Sequence, residues 1–179
     1  MPAIQVRPVI FTDVSTLVAM DHTYTSDYVW QMDFHQEAGQ VQVTFNERRL
    51  PRPVRVEYPR PAQYLADVWN KKPGVLVAAL TDGEPVGYVN LTDGLIPRAT
   101  QITDLAVTTR MRRQGIGKAL LLAAEDWAVH RGNFQLICEV QSKNHPAMSL
   151  IRKLGYEFCG YSDRFFPNQE IVLFFGKSV

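Results

Sequence analysis

The sequence predicts one domain of mixed α/β class, and three observations carry that prediction. An apolar-polar alternation over residues 4–9 is followed at once by Thr12-Asp13, a pair suited to capping a helix. An Asp82-Gly83 step sits between two apolar, β-patterned runs, a strong hairpin signal. A third β-patterned run passes straight into a turn with two glycines and then a long amphipathic stretch.

Taken in order, residues 4–9 give a strand and the Thr12-Asp13 cap a short helix through Met20. The aromatic-rich stretch 23–34 and the alternating stretches 40–45 and 54–58 predict a hairpin-like insertion, with 38–60 as its strand and loop excursion. Prolines at 51, 53, 59 and 61 interrupt it, so Arg48, Arg49, Arg52, Arg55 and Arg60 are expected on a solvated loop. Pro61 suits the first position of a helix running through Trp69 to about Lys72. Residues 74–80 and 85–91 form the hairpin around Asp82-Gly83, and 101–108 the strand that meets the glycine turn. Beyond it, Ile116, Leu120, Ala123 and Trp127 fall at helical spacing, and Gly132 can end that helix. Residues 135–140 read as a buried strand, 147–154 as a short helix stopped by Gly155, and 156–161 and 170–175 as closing strands.

Composition narrows the function. A 179-residue chain with 46% hydrophobic residues can bury a substantial core, and its length favours one domain spanning 1–179. Nineteen basic against eighteen acidic residues leave no overall field to draw in nucleic acid or an anionic membrane, so neither is expected as a partner. Cys138 and Cys159 lie in apolar stretches and make neither a metal-ligand spacing nor a disulfide framework; buried free thiols in a reducing cytosol and no bound metal are expected. The opening residues place prolines where a secretory apolar core would be, and no apolar run approaches membrane-spanning length. The expectation is a cytoplasmic protein, with a homodimer left open.

The turn Arg110 to Lys118 is the most informative stretch. A Walker loop ending at Gly117-Lys118 would need a glycine at Arg112 and a hydroxyl at Ala119; a dinucleotide fingerprint from Gly115 would need a glycine at Leu120. Both fail. What remains is Arg112-x-x-Gly115-x-Gly117 between a strand and a helix, which offers unpaired amides and the positive end of a helix dipole to one point. That point suits an anion, and glycines let a phosphate reach the backbone. Lys118 adds to the case, since a cation in a first helical turn costs about 0.3–1 kcal/mol unless an anion is bound nearby.

These residues resemble a known family. Leu105-Ala106-Val107 followed by Arg112-Arg113-Gln114-Gly115-Ile116-Gly117-Lys118 is similar to the acetyl-CoA-binding segment of the GNAT N-acetyltransferases, and Asn144-x-x-Ala147-x-x-Leu150 before Gly155-Tyr156 resembles that family's second cofactor segment. The resemblance covers roughly 99–160. It implies a single-domain fold with a central mixed, mostly antiparallel sheet flanked by helices, and acetyl-CoA as co-substrate. Amides from Arg113 through Lys118, Ile116 included, would then cradle its pyrophosphate, with Arg112 and the other basic side chains at the rim. Leu105, Ala106 and Val107 would pair with the pantetheine arm, and the Val107 amide would polarise the thioester carbonyl. Asn144 would contact the same arm, although Asn144-His145-Pro146-Ala147 also reads as a helix cap.

Acetyl transfer needs a neutral amine, so a base must take its proton, and the departing thiolate benefits from an acid. Asp104 and Glu139 flank the expected crevice. Alternation puts Glu139 and Gln141 on one strand face and Cys138 on the other. Each carboxylate reads equally as a base or as a buried strut. Many family members carry a tyrosine acid directly after the leucine of the second segment; Ile151 stands there instead. Tyr156, Tyr161 and Ser149 are the candidate substitutes, with Tyr161 favoured because Tyr156 reads as core, and water is the further proton source. Glu139-x-Gln141-x-x-Asn144 after Ala128, the aromatic segment with Tyr24, Asp27, Tyr28 and Trp30, and the closing run 170–175 more weakly resemble streptothricin-type acetyltransferases. That implies a small cationic amine acceptor. Acetylation of ribosomal-protein N-termini and a catalytically silent acyl-CoA-binding module are the alternatives.

Overall fold

The structure is a computed structural model that describes residues 3–179 except 62, 63, 65, 68, 70–73, 94 and 95. Its elements are β1 (Ile4–Pro8), α1 (Phe11–Ala19), β2 (Tyr24–Glu37), β3 (Gln40–Val56), β4 (Val75–Leu80), β5 (Pro85–Asp93), β6 (Ala99–Val107), α2 (Ile116–His130), β7 (Gln135–Gln141), α3 (His145–Lys153), β8 (Glu157–Ser162) and β9 (Val172–Ser178). Seven strands form one sheet in the order β1-β4-β5-β6-β7-β9-β8, while β2 and β3 pair separately. Every neighbouring pair is antiparallel except β6 and β7. This is the expected mixed, mostly antiparallel sheet flanked by helices.

Both faces of the sheet are covered, which explains why β4 is apolar throughout rather than alternating. Leu76 and Ala78 face the larger core with Leu120, Leu121 and Ala124 of α2; Val75 and Val77 face a smaller one with Leu17 of α1, Trp69 and Tyr88. The helix expected over 61–72 falls largely outside the described residues.

The ends of α1 and α2 are fixed differently from one another. The predicted cap at Thr12-Asp13 works from inside the first turn. Ile10 takes the N-cap position, and the Asp13 carboxylate accepts from its backbone N–H at 2.9 Å while Arg7 grips both oxygens at 2.6 and 2.9 Å. In α2 the N-cap is Gly115, left-handed at φ 88°, a conformation that penalises any side chain. A Cβ on Gly117 would meet Leu150 Cδ2 at 3.0 Å. Gly117 therefore also lets α3 approach α2 closely.

The excursion over 38–60 is more regular than its prolines suggest. β2 and β3 form a ribbon joined at Glu37 and Gln40, with one irregularity opposite Asp27 where Leu50 to Pro53 bulge outward. Pro51 and Pro53 are tolerated because, among the described residues, the ribbon belongs to no larger sheet, so an absent N–H breaks little pairing. One face carries Trp30, Met32, Phe34, Val41, Val43 and Phe45, and the other Gln31, Asp33, His35, Gln42, Thr44 and Asn46. The apolar face docks through Phe45 on Phe158 and Tyr161, and Trp30 N–H donates to Ser142 O at 2.9 Å.

The Arg7–Asp13 pair yields a prediction with a defined sign. Burial opposes ionisation of Asp13, but the bonds from Arg7 and Ile10 prevail and hold its carboxyl below the ordinary range. A depressed carboxylate stabilises the fold above its unfolded pKa and loses that contribution as pH falls through the folded value. Asp13→Asn should therefore cost about 2 kcal/mol near neutrality. Urea titrations at falling pH should show this deficit shrinking below about pH 4.

Candidate active site

The site begins where β6 and β7 stop pairing. Their parallel ladder covers only Ala99–Gln135 through Ile102–Cys138. At that level β6 carries an extra residue relative to β5: Leu91 pairs with Ile102 and Asn90 with Asp104, leaving Thr103 as a bulge. A bulge bends its strand, and β6 and β7 share no register pair beyond it. At the closed end Asp93 gathers Arg131, Asn133 and Thr100, fastening the loop after α2 to the sheet.

The open end of this wedge exposes backbone. Thr108 N–H donates to Val86 O at 2.9 Å, so the alternation of an antiparallel pair turns the N–H groups of Leu105 and Val107 away from β5 and into the wedge. Beyond them, among the described residues, no acceptor meets the amides of Arg113 through Lys118; the first intrahelical bond is Ala119 N–H to Gly115 O at 3.0 Å. Arg113 has a positive φ of 64°, as Gly115 does, and alternation of hand in a turn converges amides on one point. Arg113, Gln114, Gly115 and Lys118 are exposed around them.

Arg112 is a correction. Its guanidinium turns inward, donating to Val107 O at 2.8 Å and Asp21 O at 3.0 Å, and so braces the turn instead of standing at its rim. Asn144 takes the cap position that its sequence context suggested. Its Oδ1 caps α3 by accepting Ala147 N–H at 3.1 Å, leaving the Nδ2 donor available where Asn144 lines the wedge.

The polar groups gather on the sheet face opposite α2. Asp104, Glu139 and Gln141 line a narrow cavity of about 50 Å³, with Leu105, Asn144 and Ile151 at its other walls. That volume admits a few waters and is well short of a ligand-sized pocket. Arg60, read as solvated from the sequence, is instead buried here. It donates to Asp104 Oδ1 at 3.0 Å, Thr103 O at 2.8 Å and Glu139 Oε2 at 2.5 Å. Gln101 donates to the other Glu139 oxygen at 2.7 Å. Asp104 also accepts from Tyr58 OH, from Asn90 Nδ2 at 3.0 Å and from Thr103 Oγ1 at 2.7 Å. Burial raises the Glu139 carboxyl above its ordinary range, and the adjacent Arg60 cation only partly reverses that. Burial likewise pushes the Tyr58 phenol well up, so it stays a donor. Sequence reasoning missed Tyr58 and Arg60 because each lies far along the chain from its partners. The sole signal was Tyr58 closing an alternating stretch before Pro59-Arg60-Pro61.

Other expected residues are placed as follows. Tyr161 packs edge-on against Phe45, on β8, two strands beyond β7, and does not line the cavity. Tyr156 is buried core, as the family resemblance implied. Tyr24 OH donates to Gln141 Oε1 at 2.9 Å, and Gln141 donates in turn to Glu170. Tyr28 stacks on His145 at 4.7 Å. Trp30 is a docking residue: its ring meets Phe175 edge-on and Arg152 lies over it. Asp27 is exposed at the ribbon bulge. Cys138 faces the larger core, opposite Glu139.

A splayed parallel strand pair beside a glycine-turn helix defines an α/β fold with an anion-binding turn at the mouth of its wedge. The chain belongs to the acetyltransferase (GNAT) family, whose model matches residues 41–156. It is 34% identical over 84 residues to a streptothricin acetyltransferase of Streptomyces lavendulae, covering 47% of this chain and 44% of that protein. The chain spans about half the length of the curated relatives it matches. The crystal structure of nourseothricin acetyltransferase superposes with a TM-score of 0.81 at 25% identity, over 98% of each chain. A Bacillus anthracis protein described as a streptothricin acetyltransferase, crystallised with acetyl coenzyme A, shares the fold at TM-score 0.76 and 17% identity, over 99% of this chain and 100% of that one. Among the described residues no helix is long and apolar enough to cross a membrane.

The free amides and the left-handed Gly115 fit a pyrophosphate, and two substitutions test that fit. Gly115→Asp puts a carboxylate at the converging amides and should abolish acetyl-CoA binding by calorimetry in a folded protein. Asn144→Asp keeps the cap, so stability should stay within about 1 kcal/mol, while losing the amide donor should raise the Michaelis constant for acetyl-CoA.

Proposed function

We propose that the chain transfers the acetyl group of acetyl-CoA to a primary amine of a small cationic molecule, of streptothricin or polyamine type. The observation that carries this reading is a wedge that joins two unlike sets of groups: the backbone donors of Leu105 and Val107 along the β6 edge, and the carboxylates of Asp104 on β6 and Glu139 on β7 that line its cavity. Acetyl-CoA supplies an activated acyl group as a thioester. The amides of Arg113 to Lys118 hold its diphosphate, and Asn144 and the edge of Leu105 to Val107 hold its arm. Val107 N–H donates to the reacting carbonyl oxygen, where negative charge gathers as the amine attacks.

Glu139 accepts the amine proton through water, for which the cavity has room. Its raised pKa suits a base working near neutrality better than an ordinary exposed carboxylate would. Ile151 cannot protonate the departing thiolate and Tyr161 stands away from the cavity, so solvent provides that proton. Tyr24, Tyr28 and Gln141 form the acceptor side, with Asp27 on the adjoining ribbon, and each aromatic face favours a cation by roughly 0.5–2 kcal/mol per contact. Likeness to streptothricin and nourseothricin acetyltransferases supports an amine acceptor of this class.

The test is acetyl transfer to streptothricin, spermidine and basic peptides by the parent, Glu139→Gln and Asp27→Asn. We expect turnover on the small amines, a loss of about a hundredfold in kcat for Glu139→Gln and a raised acceptor KM for Asp27→Asn. Activity confined to peptide N-termini would replace the acceptor assignment, and acetyl-CoA binding without turnover on any amine would replace the enzyme by a silent acyl-CoA-binding module. Tyr161→Phe should keep turnover within about threefold, well short of the hundredfold or more that a positioned acid contributes.

A further inference from the structure

Arg60 occupies an unusual position for a charged residue. It lies on neither β6 nor β7, yet it spans them where their backbones no longer pair, one guanidinium nitrogen on Asp104 and the other on Glu139. Its side chain is 15% exposed, and those of its partners 1% and 4%. Among the described residues it is the one cation in contact with either carboxylate. The Phe166 ring lies 5.3 Å from its Cζ, and the flanking Pro59 and Pro61 stiffen the segment that delivers it.

Two carboxylates buried side by side cannot both stay ionised without a counter-charge. The other groups bonded to them are neutral donors: Gln101 on Glu139, and Tyr58, Asn90 and Thr103 on Asp104. Behind Tyr58, His22 lies 5.2 Å from its ring and feels the Asp104 charge, but burial holds its pKa below the ordinary range. Three of the donors serve Asp104 and one serves Glu139. If the cation were lost, the proton taken up would go to Glu139, the less supported of the two. A protonated Glu139 cannot accept from an amine.

We propose that Arg60 is a positioning residue for acetyl transfer: by bridging Asp104 and Glu139 across the open wedge it keeps Glu139 ionised and aimed at the cavity. The inference rests on the acetyl-transfer reading of this site. It adds that the pH at which the enzyme works is set by a side chain that contacts neither substrate.

The test compares the parent, Arg60→Gln and Arg60→Lys, each checked for folding by circular dichroism. The first readout needs no acceptor: carbon-13 NMR titration of the glutamate carboxyls, with Glu139→Gln identifying the signal. Arg60→Gln should raise the Glu139 midpoint by at least about one pH unit, and Arg60→Lys, which keeps the charge but not the fork, should fall between it and the parent. In kcat/KM against pH, the acidic limb should move up by the same amount, with the Michaelis constant for acetyl-CoA within about twofold of the parent. If Arg60→Gln fails to fold, Arg60→Lys alone decides by its midpoint. An unmoved Glu139 midpoint, or a rate lowered equally at every pH, would make Arg60 a structural strut and overturn the proposal. A parent inactive on every amine would instead defeat the acetyl-transfer reading, with the titration still deciding whether Arg60 controls Glu139.

Discussion

A parallel ladder only four residue pairs long governs this molecule. Where β6 bulges at Thr103 the ladder ends, and backbone donors that a sheet would normally satisfy are left facing a wedge. Buried backbone groups without partners are costly, so such an arrangement persists when something else takes their place. At the outer wall that role falls to solvent or to an extended ligand that behaves as an added strand. The parallel connection also requires a crossover, and the crossover here is α2, which brings its amide-rich N-terminus to the mouth of the same wedge.

Side chains close what the backbones leave open. Asp93 with Arg131, Asn133 and Thr100 secures the paired end, and Arg60 with Asp104 and Glu139 spans the parted end. The two clusters differ in burial: Arg131 is half exposed, whereas the Arg60 cluster lies almost wholly inside. Screening by water makes the first a modest fastening. The second is a charge network whose members depend on one another, since removing any one leaves a buried ion unmatched.

Much of this was legible in the sequence because it was local. Asp82-Gly83 fixed a hairpin, the glycines at 115 and 117 marked a turn between strand and helix, and alternation correctly assigned Glu139 and Cys138 to opposite faces. The turn between strand and helix could be read without knowing anything distant. Arg60, Tyr58 and Tyr161 could not, because the partner of each is set by tertiary packing over dozens of residues. Arg60 looked solvated because it stands among arginines and prolines, and composition carries no information about which member of a cluster turns inward. Arg112 failed for a related reason: a motif names a residue without saying which way its side chain runs. The ribbon was misjudged in extent because proline is read as a strand breaker, a rule that holds for central strands and weakens where no neighbouring strand awaits the missing N–H.

Those same prolines have another consequence. A two-stranded ribbon leaves amides and carbonyls unpaired along its outer β3 edge, and one of its faces carries Phe34 and Val41 largely uncovered. A long, flat edge of that kind can recruit a strand from another molecule and seed aggregation. On β3 the outward bulge with Pro51 and Pro53 interrupts the edge, and Arg48, Arg49, Arg52 and Arg55 would bring like charges together if two copies aligned there. The features that made this stretch resemble a loop therefore work against edge-to-edge pairing.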